Sequence, residues 1–372
     1  VAIRIEPYRS EHELAVAEFN RRMQAGSGDP NLVFSKSAVP VWLSPVPGAN
    51  VWNEFFVAVE GSFIRGAYAL KHEQLFVRGR GAQPVACYHH ALSEGVINRA
   101  YASVGGLLIR DAIARQPHLY ALGMGGMEQP LARMLKLLGF TLTAVPLYFH
   151  VVHPRRFLQE MQVLREKRWR AVLMDLAAWS GAGWLAIKLG QALHGSRSGS
   201  DEYTAEHFDE FSSWADELWD ATKDHASAAF LRDSKTLRRL YPHELSKVKL
   251  LSVTQRQQRV GWAAMGKRRK DDKFGNLRVG SIVDCWAVPS GRAGIVQAAT
   301  KALASEGVDL IVSNQAHSGW GKAFESCGYF RGPSNFVFAT SRRLSALLEP
   351  LEQNRPLFHL TRADGDGLPA NF

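Results

Sequence analysis

Two adjacent histidines, His89 and His90, sit within a run of strand-forming residues from Val85 to Leu92, and Glu94 lies just past its end. A neutral imidazole near neutral pH suits proton removal, and strand alternation turns only one of the two toward a given face. Glu94 is a second candidate base and equally well a turn residue. Beyond it, Arg99-Ala100-Tyr101-Ala102-Ser103-Val104-Gly105-Gly106 opens a helix. Unpaired amides and the positive end of the helix dipole suit a phosphate there. The plainer reading is an ordinary helix start with Ser103 as cap. Cys87 and Cys285 fall in strand patterns, where a small apolar residue is the default and a nucleophile would need an activating neighbour. There is no zinc spacing, no Walker loop and no G-x-G-x-x-G after a strand, and Thr361-Arg362-Ala363-Asp364-Gly365-Asp366-Gly367 lacks the later carboxylates of a calcium loop.

These residues need a frame. A strand at Val85–Leu92, a helix from Ala102 or Ser103, a strand at Leu119–Leu122 and a helix from Gln129 stopped by Gly139 make a βαβα unit, whose parallel strands need the crossover helix. Ile3–Tyr8 alternates as a strand, Glu11–Met23 has helical spacing, and residues 25–50 read as an ordered, aromatic- and Pro-containing lid. Phe55–Val59 and Phe63–Val77 predict a hairpin about Glu60-Gly61-Ser62. Thr141–Val152, broken at Pro146, is expected to close this half. The second half repeats the plan. A hairpin of Val248–Thr254 and Val260–Met265 precedes a charged loop at Lys267–Lys273. A central strand (Ser281–Ala287), a helix (Ala293–Glu306), a strand (Val308–Ser313), a helix (Trp320–Cys327) and a closing strand (Phe336–Thr340) follow. The expected division is 1–153, a connector at 154–200, 201–345, and a tail at 346–372.

The chain has 372 residues, 46% hydrophobic and 22% charged, as in ordinary globular proteins. Its net charge of +10 is uneven: +3 over residues 1–150, +5 over 151–200 and +2 over 201–372. The connector joins a basic flank (Arg165, Lys167, Arg168, Arg170) to a nearly apolar stretch with Trp169, Trp179 and Trp184. Two charges and three glycines argue against a span. The stretch is either a helix packed in a groove or, over residues 163–193, a peripheral contact with anionic lipid. Three distant cysteines argue for a reducing compartment, and no signal peptide is expected, so the expectation is cytoplasmic, with membrane association open.

The halves match in order at offsets of about 190 residues. Gly106-Leu107-Leu108-Ile109 answers Gly294-Ile295-Val296, and Leu138-Gly139-Phe140 answers Cys327-Gly328-Tyr329. On these residues each half resembles the GNAT superfamily of acyl-CoA-dependent N-acyltransferases, over about four-fifths of the chain by order of elements. The family's phosphate loop, Q/R-x-x-G-x-G/A, aligns with Arg99-Ala100-Tyr101-Ala102-Ser103-Val104, its glycines replaced by Ala102 and Val104. The second copy, Pro289-Ser290-Gly291-Arg292-Ala293-Gly294, lies further from it.

The resemblance implies an α+β (α/β) fold of two such domains in tandem, and acetyl-CoA or another acyl-CoA as cosubstrate without a metal. It implies an acceptor that is a small-molecule amine, such as an amino sugar or an amino-acid precursor of envelope polysaccharide. Arg99, Ala100, Tyr101, Ala102, Ser103, Val104 and Gly105 would hold the cofactor phosphates, and His89, His90 or Glu94 would take the proton. Asp284, mid-strand in the second half, would fix an acceptor amine or pair with Arg278 or Arg292. The family's thiolate-protonating Tyr is missing from the helix after Gln129, Tyr148 being a distant substitute. The other readings are a catalytically degenerate scaffold at a membrane-associated assembly and a Fem-like aminoacyl transferase; nucleic acid is disfavoured as a partner.

Overall fold

The computed structural model describes residues 2–161, 185, 187–191, 203–244, 247–270 and 275–365. The chain forms two compact units, Val1–Ala144 with Val337–Leu351, and Val145–Phe336 with Glu352–Phe372.

Unit 1 begins with β1 (Arg4–Pro7) and α1 (Glu13–Ser27), whose Val16, Phe19, Asn20 and Met23 face inward at helical spacing. Gly28 ends it in the left-handed conformation, at φ 70°. After residues 29–51 come β2 (Trp52–Glu60), β3 (Phe63–Val77) and β4 (Gly81–Ser93), then α2 (Val104–Arg115), β5 (Leu119–Gly123), α3 (Pro130–Leu137) and β6 (Thr141–Ala144). Val104, Leu108, Ile109 and Ala112 of α2 pack on Tyr68, Leu70, Ala86 and Tyr88 of the sheet.

Unit 2 takes β7 (Leu147–Val151), α4 (Pro154–Glu160), β8 (Tyr203–Phe208), α5 (Ser213–Thr222), β9 (Ala228–Phe230), α6 (Ser234–Leu240), β10 (Lys249–Gln255), β11 (Gln258–Lys270) and β12 (Leu277–Ala287). Then come α7 (Arg292–Ser305), β13 (Leu310–Asn314), α8 (Ser318–Ser326) and β14 (Phe330–Gly332). The chain returns to unit 1 as β15 (Val337–Thr340) and α9 (Arg342–Leu347), and ends in unit 2 with α10 (Leu351–Asn354) and β16 (Phe358–His359).

The expected duplication is visible in the helix ends, where Gly139 (φ 84°) and Gly328 (φ 78°) stop α3 and α8 in the same way. Three expectations need correction. The strand after Pro146 does not close the first half: β7 pairs with β13 and β14 in unit 2, while β15 lies between β5 and β6 in unit 1. Each half thus lends a closing strand, which strand-forming composition cannot reveal. Lys267–Lys270 is not loop but the end of β11, paired with Leu277–Gly280. The expected tail is not a plain extension: it carries α10 and β16, and Thr361 and Asp364 form a capping box. The connector reading falls mostly outside the described residues. Among those described, no helix is long and apolar enough to cross a membrane.

Candidate functional site

In unit 1 the site is built where β4 and β5 part. They pair in parallel only at Ala86↔Leu119 and Cys87↔Tyr120; beyond that, β4 follows β3 and β5 follows β15. A bulge lies in the same stretch of β4. Ala69 faces His89 and Ala67 faces Leu92, so the register slips across His90, which has φ 51°. The simple alternation expected of the histidine pair is therefore broken at this point.

The two rings are held differently. His89 Nε2 lies 3.3 Å from Asn53 Oδ1, and Asn53 Nδ2 donates to the Trp42 carbonyl at 3.1 Å. That orientation of the amide makes His89 Nε2 the donor and leaves Nδ1 as the acceptor. Burial first, then His90 and Lys71, push the His89 imidazole down to about 3. His90 is exposed, donates from Nε2 to the Val33 carbonyl at 2.9 Å and packs on Phe34.

Glu94 is buried, and its carboxylate lies between two guanidiniums, Arg65 Nη1 at 3.1 Å and Arg22 Nη2 at 3.2 Å. Arg65 also holds Glu60 at 2.8 Å and stacks over Tyr101 at 4.2 Å. A carboxylate paired on both sides is an anchor for the turn.

The turn itself is two short 3₁₀ segments, Glu94–Val96 and Arg99–Tyr101. Ser93 Oγ accepts from Gly95 N, and Asn98 Oδ1 accepts from Ala100 N at 3.0 Å. Ser103 is not a side-chain cap, and the first bond into the helix is Leu107 N to Ser103 O. Among the described residues, the amides of Ser103, Val104, Gly105 and Gly106 have no acceptor. Ala102 and Ser103 are exposed, and nothing lies within 4 Å of where a Gly106 Cβ would stand. Val104 is accommodated because its side chain turns inward against Gly66. Sequence reading missed Gly95: a Cβ there would sit 2.6 Å from the Tyr101 carbonyl, so only glycine lets the turn close. It also missed Asn53, whose role depends on strand pairing that no local pattern reports.

In unit 2, β12 and β13 pair from Val279↔Leu310 to Ser281↔Val312 and then part in the same way. Asp284 lies just beyond, fully buried and not open to an acceptor. It pairs with Arg232 rather than with Arg278, which holds Asp309, or with Arg292. Arg232 Nε stands 2.9 Å from Asp284 Oδ2, too bent for a hydrogen bond, while Nη2 reaches Oδ1 at 3.3 Å and also holds Asp364. The Tyr241 hydroxyl donates to Oδ2 at 3.0 Å. Burial raises the Asp284 carboxyl, Arg232 pulls it back and Asp364 raises it again, to about 6. Tyr148 belongs to unit 2 through β7 and is buried against Phe324. Among the described residues no group of three or more potential metal ligands occurs.

No family model and no curated protein sequence matches the chain. Solved structures do. A GCN5-related N-acetyltransferase from Anabaena variabilis matches at TM-score 0.51 and 11% identity, over 91% of this chain and 72% of that one. A tandem GNAT protein from the clavulanic acid biosynthesis pathway matches at TM-score 0.46 and 12% identity, over 91% and 98%. N-myristoyltransferase from Saccharomyces cerevisiae, with bound myristoyl-CoA, matches at 0.48 and 9%, over 79% and 70%. With two mixed sheets flanked by helices, each holding a parallel pair that parts, the chain shares the fold of a GCN5-related N-acetyltransferase.

Proposed function

We propose that unit 1 is an acyl-CoA-dependent N-acyltransferase acting on a small-molecule primary amine. The observation that carries this is the coincidence of two features: strands that part after two residue pairs, and four amides without acceptors at the head of the helix that follows. Backbone donors bind an anion irrespective of side chain, so Ala102 and Val104 in place of glycine do not remove them. Arg99, exposed beside them, adds charge. In this reading the pyrophosphate rests on the amides of Ser103–Gly106 and the pantetheine lies between β4 and β5. The amine nitrogen attacks the thioester carbonyl, a C–N bond forms, the C–S bond breaks, and the departing thiolate takes a proton from water. The amine's proton passes to His90, whose ring is exposed and fixed by the Val33 carbonyl. His89, held far below neutrality, serves as a permanently neutral acceptor that orients the amine. An amino sugar or amino-acid precursor of envelope polysaccharide as acceptor rests on the resemblance alone.

The test is a thermal-shift and calorimetric titration with acetyl-CoA and longer acyl-CoAs, followed by a thiol-release assay over a panel of amines. A ligand at a hundred times its Kd adds about 2.7 kcal/mol to stability. Stabilisation with thiol release, lost in His90→Ala, is the expected result. No stabilisation by any acyl-CoA overturns the proposal. Stabilisation without thiol release favours a binding module, which the doubly paired Glu94 also suits.

A further inference from the structure

We propose that the C-terminal segment Phe358–Asp364 is the built-in occupant of the strand gap in unit 2, so that one chain holds one acyl-CoA, in unit 1. This rests on the reading of unit 1 given above.

The two gaps begin alike and end differently. In unit 1, among the described residues, no hydrogen bond joins β4 to β5 beyond Cys87 and Tyr120. In unit 2 the space beyond Ser281 and Val312 is spanned at several levels. Ser313 Oγ donates across it to the Ile282 carbonyl at 2.9 Å. Further along, the C-terminal segment enters. Its His359 Nε2 donates to the Cys285 carbonyl of β12 at 2.9 Å, and Thr361 Oγ1 to Asp284 Oδ1 at 3.2 Å. On the other flank Gln315, directly after β13, forms an antiparallel bridge with Thr361, and Ala316 N donates to the Leu360 carbonyl at 3.1 Å. One short stretch therefore bonds to β12 on one side and to the residues directly after β13 on the other, as a strand-like ligand between them would.

The occupant is firmly held. Phe358 and His359 pair in parallel with Ala228 and Ala229, and Thr361 N donates to Asp364 Oδ2 at 2.7 Å. The buried Arg232 ties Asp364 to Asp284. His359, Leu360, Thr361 and Asp364 are all at most 3% exposed. What remains beside Trp286, Arg292, His317 and Trp320 is a cavity of about 10 Å³, room for a water molecule. A cofactor arm would have to displace a buried segment with all of these bonds, and that cost excludes it.

The experiment counts acyl-CoA per chain by calorimetry and native mass spectrometry on the full chain, wild type and three variants. Gly106→Glu puts a carboxylate over the amides of unit 1 where space is open, and Ser103→Glu does so from an exposed position, guarding against a folding defect in the first. Ser290→Glu puts the same charge beside the head of α7 in unit 2 from an exposed position. The expected result is one acyl-CoA per wild-type chain, none with Gly106→Glu or Ser103→Glu, and one with Ser290→Glu. Two per chain overturns the inference while leaving the reading of unit 1 intact, as would a second equivalent removed by Ser290→Glu. A single equivalent that survives both unit 1 variants and disappears with Ser290→Glu overturns both. None in the wild type overturns the acyl-CoA reading, and the inference with it.

Discussion

Glu94 and Asp284 both looked available for chemistry, and both are clasped by arginine. Their partners lie 72 residues (Arg22 to Glu94) and 52 residues (Arg232 to Asp284) away, so no local pattern reports them. The type and rough position of each carboxylate were legible; its freedom was not. The Arg232 cluster is the harder case, since one guanidinium is shared by two buried carboxylates. Replacing Arg232 by Met leaves both without a counter-charge, and the expected loss is about 3–5 kcal/mol, read from urea midpoints at pH 7. An unchanged midpoint would show that the cluster contributes nothing. His89 gives a prediction in pH. Its folded value near 3 lies below the ordinary 6.5, so the unfolded chain takes up the proton first. The stability from a neutral His89 is complete above pH 6.5 and drains away as pH falls from there toward 3. Wild type should therefore lose stability more steeply than His89→Gln between pH 6.5 and 4; parallel curves would contradict the burial argument.

At the scale of elements, local periodicity carried well. The helix expected from Ala102 or Ser103 begins at Val104, and the strand expected at Leu119–Leu122 is Leu119–Gly123. The bulge at His90 was not legible, because it is a property of a pair of strands and not of one. Charge misled at Lys267–Lys270, where basic side chains on an outer stretch of β11 read as loop. The turn before α2 can be tested through its glycines. Gly95→Ala must push the Tyr101 carbonyl away from a 2.6 Å approach, distorting the entry to the helix. The expected cost is about 1–3 kcal/mol, with a weaker acyl-CoA affinity. Gly106→Ala, in open space, should be neutral or slightly stabilising through helix propensity. Calorimetry and thermal midpoints on the two variants decide it: equal behaviour would mean the turn does not shape the amide cradle.

For the molecule as a whole, the duplicated plan was legible because two sets of helix-ending glycines recur in order, while the reciprocal lending of strands was not. The expected boundary at 153 separates sequence that the fold keeps together. A chain of residues 1–153 would carry β7, whose ladder partners β13 and β14 it lacks. It would also miss β15, leaving β5 and β6 without the strand that joins them. Open backbone edges of this kind pair with whatever strand they meet. Val337–Thr340 is buried throughout and contributes Ala339 to the core of unit 1, so its loss also uncovers apolar surface. Residues 1–153 expressed alone should therefore aggregate or unfold non-cooperatively. Residues 1–144 joined through a flexible linker to 337–351 should be soluble and unfold in one transition, because that pairing restores the run of strands from β1 to β5, β15 and β6. Light scattering and urea unfolding of the two fragments separate the outcomes. A monomeric, cooperatively folded 1–153 would mean that β15 is dispensable and that each half of the sequence closes its own sheet after all.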